Sequence, residues 1–178
     1  MDNLVEKLEG AEKIELPLLS DERGFFKEVI RVSEVEKLTG KAFNPKQMNH
    51  SKSSKNTLRG IHRAPWSKLI YVTKGKVQSV LVDLREDSPT FGKYQSVVLG
   101  DDNRVALFVP AFVGNSYLVL SEEADYIYLT DQEWSANKET GILWNDEELG
   151  IKWMLEEEPM LSQKDRTNPR LSEIFPKK

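Results

Sequence analysis

The sequence predicts an all-β fold, a sandwich or a barrel, on two observations. Short β-type runs separated by turn residues recur from Gly24 to about Tyr128, and only one segment in that stretch has helical character. Many short strands at regular spacing with scarcely any helix point to a closed or two-layered sheet architecture. At 178 residues the chain can enclose one sizeable core and is short for two, so a single domain spanning residues 1–178 is expected.

Residues 25–32 form the first run, and residues 33–38 the helical segment. There Ser33 is placed to cap, Glu36 to complete a capping box and Gly40 to end the helix. Residues 67–72 and 77–84 flank Lys74-Gly75-Lys76, which reads as a hairpin turn. Further runs cover residues 94–99, 104–109, 116–120 and 126–130, with Asp101-Asp102-Asn103 as a polar turn. Residues 147–178 are richer in charge and proline and are expected to wrap the outside, with a short helix around residues 170–174.

Charged residues make up 30% of the chain and the formal net charge is -4, which offers no general attraction to nucleic acid or to an anionic membrane. A phosphate-bearing ligand would need cations gathered locally. The absence of cysteine excludes disulfides, thiolate catalysis and cysteine-held metals. The N-terminus lacks the basic start and apolar run of a signal peptide, and no apolar stretch approaches a membrane span, so a cytoplasmic protein is expected. With only His50 and His62, the histidine-plus-carboxylate set of a metal site is not expected either, and no cofactor is implied.

Chemistry concentrates around Arg59-Gly60-Ile61-His62 and the nearby Lys68. Histidine is the side chain best suited to take a proton near neutral pH, and a neighbouring cation can stabilise the oxyanion left by a deprotonated carbon acid. On residue types alone, a satisfied barrel histidine and an exposed strand-end lysine explain the pair as well.

The order of motifs narrows the choice. Asp21-Glu22-Arg23-Gly24-Phe25-Phe26-Lys27-Glu28, Gln47-Met48-Asn49-His50-Ser51-Lys52-Ser53, Leu58-Arg59-Gly60-Ile61-His62 and Lys68-Leu69-Ile70 follow one another. Val82-Asp83-Leu84-Arg85, Ser88-Pro89-Thr90-Phe91-Gly92, Gly141-Ile142-Leu143-Trp144-Asn145-Asp146 and Leu161-Ser162-Gln163-Lys164-Asp165 complete the series. Together they resemble the dTDP-4-dehydrorhamnose 3,5-epimerase (RmlC-like) family. The resemblance implies a cupin or jelly-roll β-barrel, a homodimer whose strand exchange covers exposed edges, acting on a nucleotide-linked 4-keto-6-deoxy sugar.

It also implies roles. His62 would be the base, Asp165 its partner and Lys68 the stabiliser of the enolate oxygen. Arg23 and Arg59 would hold the pyrophosphate, with Gln47 and Asn49 as polar contacts. Phe26 and Glu28 would lie near the nucleotide base, reached from the second subunit of a homodimer. Asp83 and Arg85 are read as a buried structural pair. Three departures stand out: Asn115 where the family has a second histidine, Trp134 where it has a tyrosine read as the acid, and a shortened loop between His62 and Lys68. Asparagine keeps a hydrogen-bond donor but cannot carry a proton, and Trp134 can stack on a sugar but not donate one as an acid. Epimerisation of one or two centres, with Tyr117, Tyr128 or water as donor, keto-isomerisation, and binding without turnover all remain open at this point.

Overall fold

The computed structural model describes residues 3–176 and is built mainly from two antiparallel five-stranded sheets. The first has the order β1 (Glu12–Glu15), β9 (Val105–Val109), β6 (Lys68–Lys74), β11 (Glu123–Thr130), β4 (Gln47–Ser54). The second has the order β12 (Thr140–Gly141), β5 (Leu58–Arg63), β10 (Val113–Val119), β7 (Lys76–Asp83), β8 (Tyr94–Gly100). Their inner faces meet over Ile70, Val72, Val77, Leu81, Tyr117 and Tyr126. Each fully buried aliphatic side chain of this kind contributes about 1.5–3 kcal/mol. The expected all-β cupin or jelly-roll barrel is the fold observed.

The first long run is shorter than expected. Strand β3 (Gly24–Lys27) pairs with β2 (Leu18–Asp21) in a separate hairpin and stops at Lys27. Helix α1 then spans Val32–Thr39. Its N-cap is Arg31, without a side-chain cap, so the capping box expected from Ser33 and Glu36 does not form. Glu36 instead accepts from the backbone N–H of Phe43 at 2.9 Å. Gly40 does end the helix, in the left-handed conformation with φ 65°.

A second correction concerns Lys74-Gly75-Lys76. Strands β6 and β7 flank it but belong to different sheets, so it turns a corner of the barrel and closes no hairpin. Gly75 has φ 76°, and a Cβ there would stand 2.1 Å from the carbonyl oxygen of Glu123. The corner is too tight for any other residue. A pattern of apolar runs around a glycine cannot distinguish a hairpin from a strand that changes sheet.

The C-terminal segment packs outside the second sheet, as expected. Leu149, Ile151, Trp153 and Leu171 cover Ile61, Val82 and Leu84, and helix α3 spans Leu171–Ile174. Helix α2 (Gln163–Arg166) brings Asp165 against β5. Asp83 and Arg85 form the structural pair expected of them, bonded at 2.8 Å (Nε to Oδ1) and 2.7 Å (Nη2 to Oδ2). Burial works against the Asp83 charge, yet Arg85, Ser88 and Thr90 hold its pKa at about 2.

Candidate active site

Arg59 and His62 are three residues apart, an odd spacing that on a regular strand sends side chains to opposite faces. The pairing of β5 with β10 is irregular here. Asn115 sits opposite His62 and Tyr117 opposite Arg59, so three steps on β5 match two on β10. This bulge turns both Arg59 and His62 to the inner face, while Ile61 joins the outer core. At Gly60 a Cβ would meet that of Ser116 at 2.5 Å, so the bulge needs a glycine.

His62 Nε2 lies 2.7 Å from Asp165 Oδ1. Ser162 caps α2, accepting from the Asp165 N–H at 3.1 Å and donating its hydroxyl to Asp165 Oδ2 at 2.9 Å. Burial favours a neutral Asp165, but the His62 bond, Ser162 and the Gly60 N–H outweigh it and hold the carboxyl below its ordinary pKa. An ionised carboxylate only accepts, so the proton of the neutral imidazole resides on Nε2. Nδ1 is then the basic ring nitrogen.

Lys68 opens β6 opposite Thr130 of β11 and is only 5% exposed, contrary to an exposed strand end. Burial lowers its pKa to about 8, against a partial pull upward from Glu139. Glu139, which the sequence reading missed, is paired with Lys164 at 2.8 Å and lies within electrostatic reach of His62 and Lys68. Burial would raise its carboxyl, but the Lys164 bond and the neighbouring His62 and Lys68 hold it below the ordinary value. Its signal in the sequence is an acidic residue two positions before the Gly141-Ile142 motif; Lys164 stands within Leu161-Ser162-Gln163-Lys164-Asp165, next to the aspartate.

From the opposite sheet, Tyr126, Tyr128 and Thr130 alternate inward, in register with Ser51, Asn49 and Gln47 of β4. Burial raises the pKa of Tyr128, as does the nearby charge of Glu139, so its phenol stays protonated at neutral pH. The Tyr117 hydroxyl lies 2.8 Å from Ser51 Oγ, and Arg59 Nε donates to Ser53 Oγ at 3.1 Å. Tyr126 donates to Asn115 Oδ1 at 3.2 Å. Gln47 donates to Asn49 Oδ1 at 2.7 Å and accepts from the Trp134 backbone N–H at 2.8 Å, while the Trp134 side chain is exposed at the rim. A cleft of about 370 Å³ opens beside Arg59, His62, Lys164 and Asp165.

The structure thus gathers His62, Asp165, Lys68, Arg59, Asn115, Gln47 and Asn49 around one barrel mouth. It does not bring Arg23, Phe26 and Glu28 there within one chain. Arg23 is exposed on the β2–β3 turn and bonds Asp21 at 2.6 Å; Phe26 is exposed on β3, and Glu28 pairs with Arg31 at 2.8 Å. A base with a fixed tautomer, a buried cation and phenols on the facing sheet can together deprotonate a carbon acid and return a proton to it.

Known proteins share this arrangement of chain. The family model described as dTDP-4-dehydrorhamnose 3,5-epimerase matches residues 6–173. A dTDP-4-dehydrorhamnose 3,5-epimerase from Salmonella typhimurium is 39% identical over 166 residues, covering 91% of each chain. Among solved structures, a dTDP-6-deoxy-D-glucose-3,5-epimerase from Legionella pneumophila, in complex with dTDP-4-keto-L-rhamnose, superposes with a TM-score of 0.90 at 34% identity, over 95% of this chain and 92% of that one. A 3'-monoepimerase from Streptomyces bikiniensis, in complex with dTDP-quinovose, gives 0.89 at 31% identity, over 94% and 88%. By sequence along nearly its whole length and by fold, the chain belongs to the dTDP-4-dehydrorhamnose 3,5-epimerase family.

Proposed function

We propose that this chain epimerises a nucleotide-diphosphate-linked 4-keto-6-deoxy sugar, at C3, C5 or both, in deoxysugar biosynthesis. The observation that carries the reading is His62, tied through Nε2 to Asp165, with Glu139 as an electrostatic neighbour that it shares with Lys68. The C4 ketone acidifies the neighbouring C–H bonds. His62 Nδ1 takes one such proton, the C–H electron pair moves into a C=C bond, and the ketone oxygen becomes an enolate. Lys68, protonated below about pH 8, stabilises that oxygen in a site of low polarity. Asp165 orients the ring and stabilises the imidazolium.

Inversion requires a proton delivered to the other face. Tyr128 is the group best placed for this, because it projects from β11 of the sheet facing β5 and is kept protonated. The replacement at Trp134 therefore does not remove the acid; Trp134 supplies an aromatic surface at the rim, suited to a sugar or base. Arg59 turns its guanidinium to the pyrophosphate, with Lys164, Gln47 and Asn49 adding polar contacts.

The active assembly is a homodimer. The β2–β3 hairpin exposes Leu19, Phe25 and Phe26, and β4 lies at a sheet edge with Met48 exposed. A second copy covers these groups and receives Arg23, Phe26 and Glu28 at its pocket. A cytoplasmic location accords with a chain without cysteine. The test is proton NMR of dTDP-4-keto-6-deoxyglucose with the protein in deuterium oxide. Loss of the C3 or C5 proton signal with formation of an epimer supports the reading; binding without exchange would replace it with a non-catalytic sugar-nucleotide binder, and exchange ending in a shifted ketone would identify a keto-isomerase.

A further inference from the structure

Strand β10, beside His62, carries an arrangement that the base mechanism does not use. Asn115 is the cross-strand partner of His62, so its side chain enters the same space. An amide has an acceptor end and a donor end, and which end meets the substrate depends on what holds the other. Here Tyr126 holds it, with its hydroxyl 3.2 Å from Asn115 Oδ1. The Tyr126 ring is 1% exposed, stacked on Tyr117 at 4.1 Å with 15° between planes, and edge-on to Tyr128 at 6.2 Å. Burial raises its pKa far above the ordinary value, so the hydroxyl remains a donor across the working range.

We propose that Tyr126 is a positioning residue that fixes the Asn115 amide, so that Asn115 Nδ2 donates to an oxygen of the sugar beside the carbon that His62 deprotonates. The assignment rests on the sugar-nucleotide reading of the pocket and adds a determinant of which sugars react. Asn115 acts as a fixed donor that does not titrate, and it favours a hexose presenting an acceptor oxygen at that point over one lacking it. Without the Tyr126 hydroxyl the amide is free to turn its oxygen inward, where it would repel the same group. A merely structural Tyr126 would need only its ring, which phenylalanine also provides.

The experiment uses the full chain and compares Tyr126→Phe, Asn115→Ala and the double variant. Measurements are kcat and KM on dTDP-4-keto-6-deoxyglucose, the Kd for dTDP, and the melting temperature. Tyr126→Phe is expected to lower kcat/KM about tenfold, the size of one well-oriented hydrogen bond, with dTDP affinity and melting temperature held. Asn115→Ala is expected to lose at least as much, and the double variant no more than Asn115→Ala alone, because the hydroxyl acts only through the amide. Wild-type kcat/KM in Tyr126→Phe, or losses that multiply in the double variant, would overturn the assignment. Weakened dTDP binding in step with kcat/KM would overturn it too, since the defect would then be general. An inert wild-type chain would instead bring down the reading of the pocket, a result distinct from any of these.

Discussion

The protein holds two histidine–aspartate pairs of nearly the same length. His62 and Asp165 are 2.7 Å apart, with side chains 26% and 5% exposed; His50 and Asp125 are 2.8 Å apart, at 54% and 18%. The first lies inside the barrel mouth near Glu139 and Lys68, the second on the outer face, where His50 opposes Ile127 between the inward-facing Asn49 and Ser51. In water-like surroundings an ion pair of this length is worth little, whereas in the pocket the same geometry acts on a neighbouring reaction centre. A histidine with a carboxylate is therefore not by itself a catalytic base. What separates the two pairs is company: a buried cation, a second carboxylate and phenols on the facing sheet.

Substitutions at the inner pair test that difference most severely. His62→Asn is expected to lower deuterium exchange into the keto sugar by about 10²–10⁴, measured by NMR; exchange at the wild-type rate would show that the two pairs are equivalent after all. Lys68→Met should cost about 10²–10³ in kcat. Its stability effect has the opposite sign. Burial lowers the Lys68 ammonium from its ordinary value of 10.5 to about 8 in the folded chain, so folding disfavours the charged form. Stability therefore rises as pH increases from about 8 to 10.5, and below pH 8 the buried charge is a net burden of ~3 kcal/mol that Lys68→Met relieves. Thermal unfolding at pH 7 should place the variant above wild type. In wild type, kcat/KM should fall as pH rises through about 8, as the enolate loses its cation.

Tyr128→Phe sharpens the comparison from the other wall. It should lower formation of the epimer by about 10², yet leave proton abstraction by His62 measurable as exchange without inversion. Equal loss of both would place Tyr128 outside the reprotonation step. The smallest effect is expected at the outer pair, where His50→Asn should change kcat/KM by less than about twofold. A larger change would mean that the outer face belongs to the working assembly.

Much of the site was legible because the motifs carrying it are short and occur in order. His62, Lys68 and Asp165 stand in three of them, and each lies at the barrel mouth. Asn115 was legible as a departure, but its partner Tyr126 was not, since a tyrosine in an alternating strand reads only as core. Glu139 escaped because a lone glutamate in a charged loop resembles any solvated one; the contacts with Lys164, His62 and Lys68 distinguish it. The hairpin read at Gly75 failed for a related reason, as local turn chemistry is blind to which sheet the next strand joins.

The sequence by itself determined the strand-rich pattern, the cysteine-free chemistry, the ordered motifs and so the family, because these depend on residue type and local spacing. Tertiary structure alone decided how those residues meet. Asp165 reaches His62 across 103 positions, and the bulge between β5 and β10 turns Arg59 and His62 to one face despite their odd spacing. The loss of water that lowers Lys68 to about pKa 8 is likewise a property of the assembled barrel. Desolvation and convergence come from surfaces that close only when strands distant in sequence pack together, and no local pattern encodes them.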